Sequence, residues 1–238
     1  MRPSIAFAVA AMASLAFVAG AERVGSEPAP DPVAAAFAGL QPSLLTRSEW
    51  KAKPALPGLK SHAPSSIVVH HTGVAQNGKI GLERKLQNLQ SFSQSRAPVG
   101  SRVKPPWPDI PYHFYIDMAG RIGEARDPTF AGDSNTKYDL AGHLQVVVEG
   151  DFEKEKPSKA QLEALAGTLL WLSARWNVPV ERISMHKDNA ETDCPGAHLI
   201  AVLPKLIAGL KEQRAEAIAK LCASGPAADL ATRYCAPR

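Results

Sequence analysis

From Ser65 to Thr72 the chain reads Ser-Ser-Ile-Val-Val-His-His-Thr, a short β-branched run with apolar side chains on both faces. That pattern predicts a buried central strand, because a half-exposed strand alternates apolar with polar positions. With a period of two, Val68 and His70 share one side, and Ile67, Val69 and His71 share the other. Leu82, Leu86 and Leu89 then recur at helical spacing and predict a helix over 78–93 with one apolar stripe. Residues 95–111 form a proline-rich loop, fixed at several backbone points and of a length that suits the wall of a binding site. Residues 112–126 read as a strand, a turn at Met118-Ala119-Gly120 and a returning strand, and residues 143–149 as another strand. Over 157–176 the pattern is helical: Ser158 and Gln161 have the spacing of a capping box, and Leu162, Leu165, Leu169, Leu172 and Trp176 mark the buried face. A short strand over 180–184 leads to His186, and a last helix is expected over 197–219 with a bend near Gly209. Strands interleaved with helices predict one α/β domain, a central mixed β-sheet flanked by helices.

The ends of the chain follow different rules. Residues 1–21 carry one basic residue, Arg2, a long apolar run, and the small-residue ending Ala19-Gly20-Ala21, which is how a cleavable secretory leader is built. The run falls short of the roughly 20 residues a membrane span needs, so the expectation is export to the periplasm or beyond without a membrane anchor, with an uncleaved anchor as the alternative. Residues 22–45, with Glu-Pro-Ala-Pro-Asp-Pro near their start, read as a loosely packed N-terminal extension. The domain is expected over 46–212, followed by a C-terminal tail over 213–238. Without Arg2, 26 basic residues stand against 23 acidic ones, a net of about +3 and scattered, which gives no case for nucleic acid.

Three cysteines in an exported chain should be sorted by pairing. Cys222 and Cys235, with twelve residues between them in the tail, predict a disulfide that holds the end down. Cys194 is left over, seven positions after His186 and immediately before Pro-Gly. An odd cysteine in an oxidising compartment is a liability unless a metal occupies it. Catalytic zinc takes three protein ligands and keeps one open position, and a histidine from the central strand with His186 and Cys194 would supply the set. The pattern leaves open whether His70 or His71 faces the metal. Asn189, Asp193, Pro195 and Gly196 suit the turns needed to fold His186 back onto Cys194.

Ser-Leu-Leu-Thr-Arg-Ser-Glu-Trp at 43–50, Ile-Val-Val-His-His-Thr-Gly at 67–73, the stretch 107–126 and Ile-Ser-Met-His through Cys-Pro-Gly at 183–196 come in this order. Together they resemble the zinc-dependent N-acetylmuramoyl-L-alanine amidase family, which includes phage lysozyme-type amidases and peptidoglycan recognition proteins. The resemblance spans roughly Leu44 to Leu210 and implies that family's fold. It implies His70, His186 and Cys194 as ligands of a single Zn2+, Tyr112 as the catalytic tyrosine and Thr192 as a second hydrogen-bonding group. Trp107 and His71 are assigned to substrate contact. The implied partner is peptidoglycan or its muropeptides, and the implied chemistry is hydrolysis of the amide between the lactyl group of N-acetylmuramic acid and L-alanine by a monomer.

The chain departs from the family pattern in three places. Pro106 and Pro111 stand where glycines are common, Gln145 places a long amide where the family has no side chain, and Val147 replaces a glutamate that some members use in proton transfer. Other readings of the same residues are a binding module without catalysis, a thiol hydrolase with Cys194 as nucleophile and His186 as base, and a structural zinc site closed by His71 or His143. His113 is expected to pack or hydrogen-bond rather than react.

Overall fold

The protein is described here from a computed structural model, in which residues 32–236 are described. The leader assigned to residues 1–21 and the extension up to residue 31 lie outside the described residues. In chain order the elements are α1 (Pro32–Ala36), β1 (Leu44–Leu45), β2 (Ser66–His71), α2 (Leu82–Ser93), β3 (Ala97–Val99), β4 (Arg102–Lys104), β5 (Phe114–Ile116), β6 (Ile122–Glu124) and β7 (His143–Val148). There follow α3 (Lys159–Arg175), β8 (Ile183–Met185), α4 (Ala197–Ile200), α5 (Leu203–Ala223) and α6 (Ala228–Leu230).

Six strands form one mixed sheet in the order β1-β6-β5-β7-β2-β8, parallel throughout except where β5 meets β6. β2 pairs on both sides, with β7 and β8, as its doubly apolar pattern requires. The period of two then sorts the layers. Ile67, Val69, Leu144, Val146, Phe114 and Ile116 pack beneath α3 and α5 with Leu165, Leu169 and Leu172. Tyr115 and Val147 point the other way, toward Trp50, Leu82 and Leu86. His70 and Gln145 lie on that second side by strand alternation, so the central strands offer polar groups to a face that α2 covers only in part.

The capping box at the start of α3 is complete. Gln161 N donates to Ser158 Oγ at 3.1 Å and Ser158 N donates to Gln161 Oε1 at 3.0 Å. The final helix is two helices, broken between Ile200 and Leu203 rather than bent at Gly209. Pro204 sets that break: it sits in the first turn of α5, where its missing N–H costs nothing, and could not sit in the interior of a longer helix. Within the proline-rich segment, β3 and β4 form a small antiparallel hairpin with Gly100 at φ +57° in its turn. Residues 180–182, read as strand, form a 3-10 turn, and the strand begins at Ile183.

The stretch read as an extension contributes to the fold from residue 32 onward. Leu44 and Leu45 pair with Ile122 and Gly123 at the sheet edge. Val33 and Phe37 are buried with Leu221, Leu230 and Tyr234, and the Phe37 and Tyr234 rings meet edge to face at 5.1 Å. Cys222 and Cys235 are disulfide-bonded. Among the described residues no helix is long and apolar enough to cross a membrane.

Candidate functional site

His70 stands near the C-terminal end of β2, at a buried position on the face turned toward Cys194, which decides between the two adjacent histidines. His186 opens a 3-10 turn directly after β8, the strand beside β2. Cys194 returns to the same place because the intervening loop closes on itself. Lys187 N donates to Cys194 O at 2.9 Å, Asn189 N to His186 O at 2.9 Å and Gly196 N to Asp193 O at 2.7 Å. Gly196 has φ +91°, and a Cβ there would come within 2.6 Å of the Phe152 carbonyl carbon, so only glycine lets the loop pass.

The result is a compact donor set. One ligand atom from each of His70, His186 and Cys194 lies within 4.8 Å of the others, and all three residues are buried. His70 Nδ1 is 3.7 Å from Cys194 Sγ, and the two imidazoles stand with centroids 4.6 Å apart. Among the described residues no fourth histidine, cysteine or carboxylate joins this group. Burial holds the His70 imidazole well below its ordinary pKa, with the His186 ring opposing its charge further. Burial likewise depresses His186, to about 4. Both rings are therefore neutral, with a lone pair free to bind a cation. The Cys194 thiol is pushed up to about 12 by burial, against the pull of the His71 N–H at 3.4 Å. It ionises readily only beside a cation, and a metal is the partner that such a set suits.

His71 points away from this set. Its Nδ1 accepts from Phe152 N at 3.2 Å, although the residue still borders the cavity. That cavity, of about 240 Å³, is also lined by Trp107, Pro111, Tyr112, Thr136 and Thr192. The Tyr112 ring lies 5.2 Å from that of His70. Its phenol is driven far above the ordinary range by burial and by Cys194, so it is a proton-bearing donor. Thr192 Oγ1 accepts from Cys194 N at 3.2 Å, which leaves its own O–H to donate.

A larger cleft of about 600 Å³ shares Thr72, Trp107, Pro111, Tyr112 and Asn135 with the first cavity. Leu89, Phe92, Pro98 and Val99 form its apolar side, so the proline-rich segment does wall it. Trp107 is fixed by Lys104, whose ammonium sits 4.4 Å from the ring centroid and donates to the carbonyls of Ser93, Ser95 and Pro105 at 2.7, 2.8 and 3.0 Å. Lys85 and Glu149 pair at 2.6 Å in the same cleft.

Three features of the site were not found by sequence reasoning. Thr136 Oγ1 lies 2.7 Å from His186 Nε2, the Tyr138 ring lies tilted to that imidazole at 5.3 Å, and Lys104 braces Trp107. Thr136 and Tyr138 sit in an irregular segment, where no periodicity marks a side chain as inward-facing, and Lys104 ends a three-residue strand too short to show one. His113 packs as expected: its Nδ1 accepts from Gln145 N at 2.7 Å and its Nε2 meets Phe130 O at 2.9 Å. His62, to which no role was given, joins Gly142 N and Pro128 O at 2.9 and 3.0 Å and stacks on His113.

Residues 60–197 match the family model described as N-acetylmuramoyl-L-alanine amidase. The chain is 31% identical over 169 residues to peptidoglycan-recognition protein SD of Drosophila melanogaster, covering 67% of this chain and 83% of that protein. The crystal structure of the Drosophila protein superposes with a TM-score of 0.60 at 26% identity, over 68% of this chain and 94% of that one. The N-acetylmuramoyl-L-alanine amidase LysC from Clostridium intestinale has the same fold, with a TM-score of 0.57 at 24% identity over 71% and 98% of the two chains.

Proposed function

We propose, from the premise that the chain belongs to the N-acetylmuramoyl-L-alanine amidase family, that it is a zinc-dependent hydrolase of the amide between the lactyl group of N-acetylmuramic acid and L-alanine in peptidoglycan. The observation that carries this reading is the convergence of His70, His186 and Cys194 from three distant parts of the chain, with no fourth side-chain ligand among the described residues. A structural zinc site would be closed by a fourth ligand, and His71, one of the two candidates for it, is engaged with Phe152.

Zinc, which His70, His186 and Cys194 would hold, would supply Lewis acidity to activate water near neutral pH and to polarise the amide carbonyl. The rest of the chemistry falls to this chain's own groups. Tyr112, protonated and beside His70, donates from Oη to the carbonyl oxygen as it gains negative charge. Thr192 supplies a second donor at the loop that carries Cys194. Val147 is fully buried and apolar, so no carboxylate at that position shares in proton transfer, and more of the task rests on Tyr112. The apolar cleft beside Trp107 takes the stem peptide.

A thiol hydrolase is disfavoured because a thiol at about 12 is almost wholly protonated at neutral pH. Recognition without cleavage remains the second reading, since the relative above is named for recognition. In either case the partner is peptidoglycan or muropeptides, met by an exported monomer outside the cytoplasm. The deciding experiment is mass analysis of purified wall fragments after incubation with the protein, with and without a chelator. Free stem peptides beginning with L-alanine, lost on chelation, are expected. Binding to walls without any cleavage overturns the hydrolase reading, and cleavage that survives metal removal overturns the zinc.

A further inference from the structure

One segment, residues 132–145, braces both imidazoles of the metal-ligand set. On His186, Thr136 Oγ1 occupies Nε2 at 2.7 Å, and Ser134 Oγ holds that hydroxyl at 2.7 Å. The nitrogen left for a metal is then Nδ1. On His70, Nδ1 faces Cys194, while Nε2 is turned into the protein, buried and without a partner of normal hydrogen-bond geometry. Gln145 stands on β7, the strand beside β2, on the same face as His70 and diagonal to it, since its register partner is Val68. It too is fully buried, and its Nε2 is unpaired. Two adjacent unmet groups of this kind carry a large desolvation cost unless they meet.

Gln145 has little freedom to do anything else. Tyr138 Oη bonds its Oε1 at 3.1 Å, and its backbone N–H is taken by His113. Gly132 passes so close that a Cβ there would lie 2.8 Å from Gln145 Nε2 and 2.5 Å from Pro111 O. A rotation of the amide that exchanges its oxygen and nitrogen gives partners to both unmet atoms, His70 Nε2 and Gln145 Nε2. Oε1 then accepts from His70 Nε2–H, and Nε2 donates to Tyr138 Oη, which serves as either donor or acceptor.

We propose that Gln145, braced by Tyr138, and Thr136 are positioning residues for the metal. Each accepts the Nε2 proton of one histidine, fixing the tautomer and ring orientation that present Nδ1. Partners of this kind typically change metal affinity by about 10- to 100-fold. The inference rests on the metal-dependent reading above.

The test is competition of Zn2+ against a chromophoric chelator, together with the visible spectrum of the Co2+-substituted protein. It compares wild type with Gln145→Leu, Gln145→Glu, Tyr138→Phe, Thr136→Val and Thr136→Ser. Gln145→Leu and Thr136→Val are expected to weaken metal binding by about 10- to 100-fold and to shift the cobalt bands. Gln145→Glu and Thr136→Ser, which keep an acceptor, are expected to hold near wild-type affinity. Tyr138→Phe keeps the ring packing and removes only the brace, and should also weaken binding; it serves if Gln145→Leu does not fold. Variants that lose stability in the metal-free state while keeping wild-type affinity and spectrum overturn the positioning role. A wild type that binds neither Zn2+ nor Co2+ overturns the metal reading and this inference with it.

Discussion

Cys194 Sγ stands 3.7 Å from His70 Nδ1 although 124 positions separate the two residues in the chain. The pairing is held by backbone geometry at both ends, a central strand on one side and a closed loop on the other, so it does not need a metal to form. Replacing Cys194 by alanine should therefore leave the fold intact while removing one of three ligands. Zinc content measured by elemental analysis is expected to fall to a small fraction of one per chain, and release of stem peptides by more than about 100-fold, since even an outer-shell loss reaches that range. A metal-free Cys194→Ala protein with full activity would remove the basis for the proposed mechanism.

Tyr112 is expected to act in the chemical step and not in metal binding, because its ring neighbours His70 without being one of the ligand group. Tyr112→Phe should keep one zinc per chain and near-normal affinity for muropeptides. Its kcat should fall by about 100- to 1,000-fold, the usual effect of deleting one oxyanion donor. Steady-state kinetics on a purified muropeptide separate this from a binding role, which would raise KM instead.

Much of the molecule could be read in the sequence wherever a local rule and a tertiary demand coincide. The capping box at Ser158 and the leucine stripe behind it specify α3 because the same residues start the helix and bury its face. The run from Ile67 to His70 announces a central strand, since a strand buried on both sides belongs in the middle of a sheet. The choice between His70 and His71 required the structure, as alternation assigns them to opposite faces without saying which face holds Cys194. Thr136 and Tyr138 were illegible for a different reason: they lie in an irregular segment whose path is set by contacts with His62, His113 and Pro111. The helix break before Pro204 was legible in principle. Gly209, a weak helix residue, drew the expectation that the stronger proline signal should have claimed.

Gly196 gives a prediction that touches the metal site only through the backbone. With φ at +91° and the Phe152 and Glu153 backbone 2.6 and 2.9 Å from the place of a Cβ, alanine must displace the loop that carries Cys194. Gly196→Ala should cost on the order of 2 kcal/mol of stability in denaturant unfolding. It should also weaken Zn2+ binding, although the substituted atom contacts no ligand. Unchanged zinc affinity would show that the loop position does not control the site.

The buried histidines predict acid sensitivity in the metal-free protein. Burial lowers His113 to about 3 and His186 to about 4, and His70 is depressed in the same sense. An unfolded histidine titrates near 6.5, so below that pH the unfolded chain binds protons that the native state refuses. The stabilisation is complete above about pH 6.5 and is lost as the pH falls toward the folded values. Denaturation midpoints of chelator-treated protein should decline steadily from pH 7 to pH 5. His113→Gln, which removes one of the refusing groups without touching the ligands, should flatten that decline. An equal slope in the two proteins would contradict the assignment.

The disulfide-bonded tail should affect stability and leave chemistry alone. Tyr234 Oη lies 2.8 Å from the carbonyls of both Ala174 and Arg175 and shares its single proton between them, so the tail is tied to the end of α3. Phe37 closes over the same tyrosine from the N-terminal side, and the Cys222–Cys235 bond ties this cluster to the end of α5. None of these residues lines the cavity around His70. The double substitution Cys222→Ser with Cys235→Ser frees a loop of this size in the unfolded chain and should cost about 3 kcal/mol on the loop-entropy account. Zinc stoichiometry and kcat should stay at wild-type values at temperatures well below unfolding. If the double variant unfolds at the same denaturant concentration as the oxidised protein, the tail is an ornament on α3. If it loses zinc while still folded, the tail reaches the metal site through α3.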